Sequence, residues 1–239
     1  MKQTFFETEI VKIINETSTT RRYFFSVVSK DKFEYKAGQF VMLQLDINAK
    51  IPYRSYSIAS TPDGSNQFEL IIVLNPPGAG TPFIWDNFEV GSKVMCAGPI
   101  GKFVLPEYIH HDLCFICTGT GIAPLRSMLW YIINNNIQHR RIYFVFGART
   151  KDDLLYYEEL LELTEKHKSI HFIPVLSRES VDTWDGRIGY VHQVYEEIFS
   201  NRRPAEFFIC GWSAMLKEAR ERLALMGYPK EQIHFERYD

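Results

Sequence analysis

The chain has 239 residues, of which 46% are hydrophobic and 23% are charged, and its formal net charge is −2. This length and composition are those of a globular protein with one large domain or two domains of ordinary size. The near-neutral charge argues against a nucleic-acid-binding protein, and no apolar run reaches the roughly 18 residues that cross a bilayer. Because the first residues also lack the apolar region of a signal peptide, we expect a cytoplasmic protein without a membrane partner.

The first half of the chain contains short runs of apolar, aromatic and β-branched residues, separated by turn residues such as Ala37-Gly38 and Pro62-Asp63-Gly64. Six such strands at this spacing predict an antiparallel barrel, and a short helix is predicted over residues 82–87. The predicted strands are Phe5–Ile14, Arg22–Val28, Gln39–Leu45, Tyr53–Ser60, Phe68–Leu74 and Lys93–Ala97.

The second half changes its hydrophobic period, because strand-like runs alternate there with helical stretches. The alternation predicts a doubly wound parallel sheet with helices on both faces. The pattern breaks near residues 105–112, so we expect two domains, 1–107 and 108–239. The predicted strands are 113–117, 142–146, 170–175 and 206–210, and the predicted helices are 123–135, 152–165, 190–199 and 213–226.

The segment Thr118–Pro124 reads Thr-Gly-Thr-Gly-Ile-Ala-Pro and joins a predicted buried strand to an amphipathic helix. Gly119 and Gly121 let the backbone turn tightly and approach a ligand, because neither residue carries a Cβ atom. Pro124 suits the first turn of a helix, where its missing N–H removes no hydrogen bond. Since free N–H groups at a helix N-terminus attract anions, the segment predicts a pyrophosphate site. An ordinary strand-to-helix turn is the alternative for a glycine pair taken alone.

Two further blocks accompany this glycine loop, namely Arg54-Ser55-Tyr56-Ser57 upstream of it and Phe207-Phe208-Ile209-Cys210-Gly211 near the C-terminus. In this order and spacing, the three blocks resemble the ferredoxin–NADP reductase family of flavoproteins, and the resemblance covers essentially the whole chain. It implies an FAD-binding barrel followed by a nicotinamide-binding α/β domain. It also implies hydride transfer from NAD(P)H to FAD, after which the electrons pass to a separate carrier.

The resemblance places the flavin at the first block and at a second segment, Gly78-Ala79-Gly80-Thr81. Arg54 would pair with the flavin pyrophosphate, because its planar fork matches phosphate oxygens. Tyr56 would lie against the isoalloxazine ring, and Ser57 would place its hydroxyl near flavin N5. Thr81 would hold the flavin phosphates through its hydroxyl, together with the N–H groups at the helix start, and capping of that helix alone is the alternative for a threonine there. The residues assigned to the flavin are Arg54, Ser55, Tyr56, Ser57, Gly78, Gly80 and Thr81.

Cys210 ends a predicted buried strand at the place where ligands of open α/β sheets collect. In the family this cysteine lies beside the nicotinamide, and Thr118 would face the same end of the cofactor; a small core residue is the alternative for Cys210. Glu236 and Tyr238 resemble the family's closing Glu-x-aromatic, in which the aromatic ring covers the flavin. Asp239 follows here, so a ring packed at the terminus is the alternative for Tyr238. The candidate catalytic residues are Ser57, Cys210, Glu236 and Tyr238.

The type of nicotinamide cofactor is indicated by the residues that follow the glycine loop. An NAD-preferring site usually carries an acidic residue about 20 positions after the glycines, and none stands in that stretch. Ser177-Arg178 resembles the family's pair that grips the 2′-phosphate of NADPH, and Tyr190 matches its adenine-side tyrosine. Ile188 replaces a basic residue of the family, and Trp184–Val191 also resembles members that use NADH, so NADPH is favoured with NADH as the alternative. The residues assigned to the nicotinamide cofactor are Thr118, Gly119, Gly121, Pro124, Ser177, Arg178, Tyr190, Cys210 and Gly211.

The four cysteines are too few for a disulfide framework in a chain of this length. Cys114 and Cys117 form a C-x-x-C, but residues three apart on a strand point to opposite faces. Without a second cysteine pair, we predict buried thiols and no metal or iron–sulfur site. The resemblance then implies a separate electron acceptor, which would be ferredoxin, flavodoxin or an oxygenase component. The alternatives are a flavin reductase with free flavin as substrate and a non-enzymatic electron-transfer subunit of a larger complex.

Overall fold

The computed structural model describes residues 4–50 and 52–238. These residues divide into two compact units. One unit, the barrel unit, extends to Leu105 and also includes Arg126–Asn135. The other, the sheet unit, comprises Pro106–Leu125 and the chain from Asn136 onward.

Up to Leu105, the described part of the barrel unit contains a six-stranded antiparallel sheet and one α-helix, which confirms the predicted barrel. Its elements are β1 (Phe5–Asn15), β2 (Thr20–Val27), β3 (Phe40–Gln44), β4 (Tyr53–Ser57), β5 (Gln67–Val73), α1 (Gly80–Asn87) and β6 (Lys93–Ile100). The strands lie in the order β4-β3-β6-β1-β2-β5, and a bridge between Ile58 and Leu70 joins the two outer strands. The bridge closes the sheet, because it pairs the edges that an open sheet would expose.

The register of β4 determines which of its side chains share a face. Arg54 lies opposite Leu43 of β3, and Tyr56 lies opposite Val41. Both partners on β3 are completely buried in the barrel core. Because directly opposed residues of an antiparallel pair lie on the same side of the sheet, Arg54 and Tyr56 share the core-facing side. Ser57, the next residue, belongs to the other side and is itself buried.

The described residues of the second half form six parallel strands and four α-helices, which confirms the predicted doubly wound sheet. Its elements are β7 (Asp112–Thr118), α2 (Ile122–Asn134), β8 (Ile142–Ala148), α3 (Tyr157–Lys166), β9 (Ile170–Leu176), β10 (Arg187–Ile188), α4 (Val191–Ile198), β11 (Ala205–Trp212), α5 (Ser213–Leu225) and β12 (Ile233–Tyr238). The strand order is β10-β9-β8-β7-β11-β12, and every neighbouring pair is parallel.

The two outermost strands, β10 and β12, are absent from the predicted elements. Both residues of β10 are exposed, and the residues of β12 are exposed or half-buried. An outer strand is covered on fewer sides than a central one, so it does not need the continuous apolar run by which buried parallel strands are recognised. The pattern therefore predicts the four inner strands and omits the two edges.

Most elements begin or end at residues other than those predicted. Helix α3 begins at Tyr157 rather than at residue 152, because Thr150 and Asp153 cap a separate 3₁₀ turn over Lys151–Asp153. Strand β4 ends at Ser57 rather than at the predicted Ser60. Helix α1 begins at Gly80 rather than at residue 82.

The prediction divides the chain once, between residues 107 and 108, whereas one of the observed units consists of two separate segments. Helix α2 is the reason, because most of it belongs to the barrel unit. Its residues from Arg126 onward group with the barrel unit, although they follow the glycine loop in sequence. Arg126 is buried and donates from Nη1 to the carbonyl oxygen of Ala59 at 2.7 Å and to the carboxylate of Glu69 at 3.3 Å. Ser127 donates from Oγ to the carbonyl oxygen of Ser60 at 2.5 Å. These contacts attach the helix to the segment that follows β4.

Candidate functional site

The strand order of the parallel sheet reverses between β7 and β11, which are neighbours although the chain forms β8, β9 and β10 in between. Ligands of open α/β sheets bind at such a reversal, outside the carboxyl ends of the strands. Cys117 of β7 pairs with Cys210 of β11, and each strand then leads directly into predicted site residues, Thr118 on β7 and Gly211 on β11. The structure therefore brings the two predicted nicotinamide-binding blocks together at one edge.

The glycines at this edge have different surroundings. A Cβ atom on Gly121 would overlap the carbonyl oxygen of Cys210, and one on Gly211 would overlap Oγ1 of Thr118. These two glycines are therefore needed for close packing within the protein. Gly119 has a φ of +53° and nothing within 4 Å of the position of its Cβ atom. The close approach to a ligand that was predicted for both loop glycines is thus available at Gly119, whereas Gly121 packs against β11.

The edge also carries a side-chain hydroxyl without a hydrogen-bond partner and a helix N-terminus without an acidic residue in its first turn. Oγ1 of Thr118 is buried and has no hydrogen-bond partner among the described residues. Because a buried polar group without a partner is costly, a ligand that hydrogen-bonds to it would remove that cost. Helix α2 follows the loop with Pro124 in its first turn and with no acidic residue there. This combination fits the anionic pyrophosphate of a nicotinamide dinucleotide.

Cys210 is completely buried at the carboxyl end of β11. Burial raises the pKa of its thiol well above the usual range and Glu236 raises it further, while a hydrogen bond with the side chain of Tyr238 lowers it in part. A thiol whose pKa is raised in this way stays protonated at physiological pH, which does not suit a nucleophile. Glu236 lies opposite Cys210 in the register, and Tyr238 lies opposite Trp212, so the three candidate residues share one face. That Tyr238 covers the flavin stays a prediction, and Asp239 lies outside the described residues.

The carboxyl ends of β8 and β9 carry the residues predicted to read the adenine end of the cofactor. The N–H of Arg178 donates to the carbonyl oxygen of Arg149 at 2.8 Å, and the N–H of Ser177 donates to that of Ala148 at 3.0 Å. The Arg149 guanidinium forms an ion pair with Asp153 at 2.9 Å. Arg149 is a second arginine beside Arg178 that the sequence prediction omits, and its position directly after a parallel strand is the signal that would have identified it.

One aromatic residue, Tyr190, and one basic residue, Arg187, lie just before α4 at this edge of the sheet. Tyr190 precedes the helix and is 66% exposed, and its N–H donates to Oε1 of Gln193 at 3.1 Å. An exposed ring beside the strand ends suits stacking on a base, as the resemblance implies. Ile188, which replaces the family's basic residue, lies on β10, and the neighbouring Arg187 forms an ion pair with Glu197 at 2.7 Å.

In the barrel unit, Arg54 lies against the start of α1. A Cβ atom on Gly80 would be 3.0 Å from Cγ of Arg54 and 3.1 Å from its Nε, so the glycine makes room for the arginine stem. The first turn of α1 contains no acidic residue. A guanidinium beside a helix N-terminus with free N–H groups fits the diphosphate of a flavin nucleotide. Burial raises the pKa of Tyr56 on the same strand, and the nearby Arg54 guanidinium partly offsets that rise.

Thr81 is not the N-cap of α1, so its predicted capping role is wrong, whereas its contact with the flavin phosphates stays a prediction. The N-cap is Ala79, and the helix begins at Gly80. Oγ1 of Thr81 instead accepts a hydrogen bond from the N–H of Asn75 at 2.8 Å and donates to the carbonyl oxygen of Asn75 at 3.3 Å. The N–H of Gly78 donates to the same carbonyl at 2.9 Å. The hydroxyl thus closes the loop before the helix, and the backbone N–H groups at the helix start remain as the groups of this segment suited to an anion.

Ser55 and Ser57 lie on the side of β4 opposite to Arg54 and Tyr56. Ser55 is exposed, whereas Ser57 is only 4% exposed. The two residues predicted to contact the flavin ring, Tyr56 and Ser57, therefore lie on opposite sides of β4, and a contact of both with one ring stays a prediction. Strand β4 pairs with β3 on one side, and the bridge toward β5 follows it at Ile58.

Among the residues that the structure describes, no group of three or more His, Cys, Asp or Glu side chains is placed to hold a metal ion. Cys114 and Cys117 are buried thiols, as predicted. In the same residues, no helix has both the length and the apolar character that crossing a membrane requires. A cytoplasmic location stays a prediction.

Two family models match the chain, the oxidoreductase FAD-binding domain over residues 7–105 and the oxidoreductase NAD-binding domain over residues 115–221. The chain is 33% identical to ferredoxin–NADP reductase B of Sorangium cellulosum, over 98% of this chain and 98% of that protein. It is 29% identical to the glycine betaine monooxygenase reductase subunit of Chromohalobacter salexigens, over 95% of this chain but only 62% of that protein.

Solved structures show the same fold. Amycolatopsis cytochrome P450 reductase GcoB superposes with a TM-score of 0.87 at 25% identity, over 99% of this chain and 71% of that one. A ferredoxin NADP⁺ reductase from Neisseria gonorrhoeae superposes with a TM-score of 0.82 at 23% identity, over 98% of each chain. Because the chain matches ferredoxin–NADP reductase B over 98% of both sequences and matches both domain models, it belongs to the ferredoxin–NADP reductase family of FAD- and NAD(P)H-dependent oxidoreductases.

Proposed function

We propose that the chain transfers hydride from NADPH to FAD and passes the electrons to a separate protein carrier, which is a ferredoxin, a flavodoxin or an oxygenase component. The observation that carries the proposal is the edge where β7 and β11 end. Open space at Gly119 and the unpartnered Thr118 hydroxyl suit an anionic dinucleotide, and the neutral thiol of Cys210 suits an uncharged ring. This edge is suited to binding and orienting a cofactor, because its buried cysteine is not ionised for covalent catalysis.

The protein's part in the reaction is to hold and orient two cofactors. When bound, FAD accepts a pair of electrons from reduced nicotinamide and releases them one at a time. Arg54 and the N–H groups at the start of α1 hold the flavin diphosphate, and the glycine loop holds the dinucleotide. Cys210 fills the strand end with a small uncharged group and so keeps water from the nicotinamide. Tyr238, hydrogen-bonded to that thiol, keeps a ring beside it.

The arginines after β8 and β9 support NADPH over NADH. A 2′-phosphate carries close to two negative charges, and its charge-assisted contacts with a guanidinium are among the strong hydrogen bonds. Arg178 and Arg149 are linked through a backbone hydrogen bond, so both belong to one short stretch of the sheet edge. Asp153, the carboxylate of that stretch, is engaged by Arg149 and Thr150 rather than directed to a ribose hydroxyl.

The proposed carriers follow from the relatives. Ferredoxin–NADP reductase B is named for ferredoxin, and the glycine betaine monooxygenase and propane 2-monooxygenase reductases are named as components of oxygenases. The ferredoxin–NADP reductase matches this chain over its whole length, whereas the oxygenase reductases extend beyond it. A ferredoxin, a flavodoxin and an oxygenase component are therefore all proposed as carriers, and the acceptor assay below distinguishes them.

The test is NADPH oxidation by the purified protein with ferredoxin, flavodoxin, an oxygenase component or free FMN as the acceptor. We expect a yellow protein that retains FAD through gel filtration and reduces a protein carrier in preference to free FMN. A colourless protein that reduces only free flavin would support the flavin-reductase alternative. A protein that oxidises neither NADPH nor NADH, even with ferricyanide as acceptor, would support the non-enzymatic alternative and contradict the proposal.

A further inference from the structure

The backbone that follows the proposed flavin strand is held from several elements of the barrel unit. The N–H of Ile58 donates to the carbonyl oxygen of Gln39 at 2.9 Å, and the N–H of Ala59 donates to that of Glu69 at 2.8 Å. The carbonyl oxygen of Ala59 accepts from Arg126 at 2.7 Å. One residue later, Ser127 donates to the carbonyl oxygen of Ser60 at 2.5 Å. The residues directly after Ser57 are therefore tied on both their N–H and their C=O sides.

The arginine in this arrangement is itself fixed by a buried ion network. Glu69 is 3% exposed and lies between Arg126, at 3.3 Å, and Nε of Arg22, at 2.5 Å. Arg22 also reaches Glu16 at 3.5 Å, so two carboxylates balance two guanidinium groups. Buried charges of this kind are tolerated only when they are paired and hydrogen-bonded. Because the network orients the guanidinium, Arg126 is a rigid donor to the carbonyl of Ala59.

This arrangement lies one to three residues beyond the side chain that the proposed function places at the flavin. Ser57 is buried, and on β4 it pairs with Phe40 of β3. The strand pairing holds its backbone on one side, and the bonds to the following residues hold the chain that leaves it. Because misplacement of a reacting geometry by about 1 Å can slow a reaction by a factor on the order of 100, small shifts here matter for rate.

We propose that Arg126 and Ser127 are positioning residues of the flavin site, which hold the backbone after β4 and thereby hold the Ser57 hydroxyl toward the flavin. The inference rests on the proposed function, in which Ser57 lies near flavin N5. Neither residue touches the flavin in this proposal. Each acts through the carbonyl groups of Ala59 and Ser60, so its effect requires the Ser57 hydroxyl.

The experiment is a double-mutant cycle in the flavin-loaded protein. Ser127→Ala and Arg126→Met are made alone and combined with Ser57→Ala. The readouts are the flavin midpoint potential, the flavin absorbance spectrum and the stopped-flow rate of flavin reduction by NADPH. We expect Arg126→Met to slow reduction by roughly 10- to 100-fold and Ser127→Ala by less. Both should shift the potential in the direction seen for Ser57→Ala, and neither should add to that shift in the Ser57→Ala background.

Arg203→Met is the matched control in the sheet unit. Arg203 donates to the carboxylate of Asp112 at 2.9 Å and to the carbonyl oxygen of Ile198 at 2.7 Å, so its contacts are of the same types as those of Arg126. This variant should lose thermal stability and keep the wild-type flavin potential. If Arg126→Met and Ser127→Ala also keep the wild-type potential and rate, their role is structural and the inference is wrong.

The remaining outcomes separate the inference from the function on which it rests. Effects of Arg126→Met and Ser57→Ala that multiply in the double variant would show independent action and overturn the inference. Ser127→Ala removes no buried charge, so it decides the question even if Arg126→Met does not fold. A wild-type protein that neither holds FAD nor oxidises NADPH contradicts the proposed function, whereas a working wild type with unaffected variants contradicts the inference alone.

Discussion

The barrel unit and the sheet unit prepare their proposed binding sites by different physical means. In the barrel unit the decisive groups are charged side chains, with Arg54 beside the start of α1 and Arg126 bonded to the segment after β4. In the sheet unit they are glycines, since Gly121 and Gly211 allow strand end and loop to pack without Cβ atoms. Truncating a charged side chain removes its contact, whereas a close-packed backbone is disturbed when a side chain is added. The barrel site is therefore tested by truncating side chains, and the sheet site by replacing glycine with alanine.

The largest effect is expected from adding one methyl group in the sheet unit, with Gly121→Ala. The new Cβ atom would overlap the Cys210 carbonyl, which is backbone and cannot rotate away. We expect a loss of about 1–3 kcal/mol in the free energy of unfolding and at least roughly tenfold weaker NADP⁺ binding, with FAD retained. Thermal unfolding and an NADP⁺ titration measure the two effects.

Gly119→Ala is the matched control for that substitution, because its Cβ atom would meet nothing within 4 Å. The backbone there has a φ of +53°, so an alanine costs about 1–2 kcal/mol from conformation alone. Apo-protein stability should fall less than with Gly121→Ala. Equal losses in the two variants would show that the packing of Gly121 against β11 is not what makes glycine necessary there.

A side-chain truncation should have the next largest effect, and it belongs to the barrel unit. Arg54→Ala removes the guanidinium that lies over Gly80, and we expect FAD binding to weaken by about 10- to 100-fold, equivalent to about 1.5–3 kcal/mol. Arg54→Lys should recover part of the affinity, because it keeps the charge without the planar fork. Quenching of flavin fluorescence measures the affinity. If riboflavin, which has no phosphate, loses as much affinity as FAD, then Arg54 does not act on the phosphates.

The proposed adenine-side contacts of the sheet unit differ from its glycines, because they are the charged side chains of Arg178 and Arg149. Arg178→Ala should raise the KM for NADPH about tenfold and leave the KM for NADH unchanged, because only NADPH carries the 2′-phosphate. Arg149→Ala should act in the same direction but less strongly, since its guanidinium is shared with Asp153. Steady-state kinetics with both cofactors decide the matter, and equal changes in the two KM values would contradict a phosphate contact.

The smallest effect is expected for the ionisation of Cys210. Burial raises the pKa of this thiol well above its usual range, so the folded protein keeps it protonated where an unfolded chain, with a thiol pKa of about 8.5, begins to ionise it. The thiol therefore contributes stability below about pH 8.5 that is lost as the pH rises further. Native protein should resist iodoacetamide, and Cys210→Ala should lessen the alkaline loss of stability. Rapid alkylation of native Cys210 would contradict a neutral buried thiol.

The sequence predicts local features of this molecule well, because strand, glycine loop and helix follow one another along the chain. The blocks around Arg54, Thr118 and Cys210 each occupy consecutive residues, and the four inner parallel strands are continuous apolar runs. A pattern of this kind is complete within a short window. It needs no information about which distant residues will meet.

The features that the sequence does not predict depend on contacts that residue type and periodicity do not reveal. Arg126 finds Ala59 and Glu69 at separations of 67 and 57 residues, so its grouping with the barrel cannot be read from helical periodicity. Thr81 has a residue type suited to N-capping, but the fold of its loop brings the Asn75 backbone to its hydroxyl first. The helix that carries Arg126 is predicted correctly and only its partners are not, whereas at Thr81 a hydrogen bond within the loop overrides the capping preference.

The discontinuous composition of the barrel unit has a consequence for recombination. A chimera that joins one family member up to Leu105 to another member from Pro106 would look like an exchange of whole domains. It would nevertheless supply Arg126–Asn135 from the wrong parent and set a foreign helix against Glu69 and the Ala59 carbonyl. The exchangeable module of this fold is therefore two pieces of chain. Hybrids that take both segments of the barrel unit from one parent should keep that parent's FAD affinity, whichever parent supplies the sheet unit.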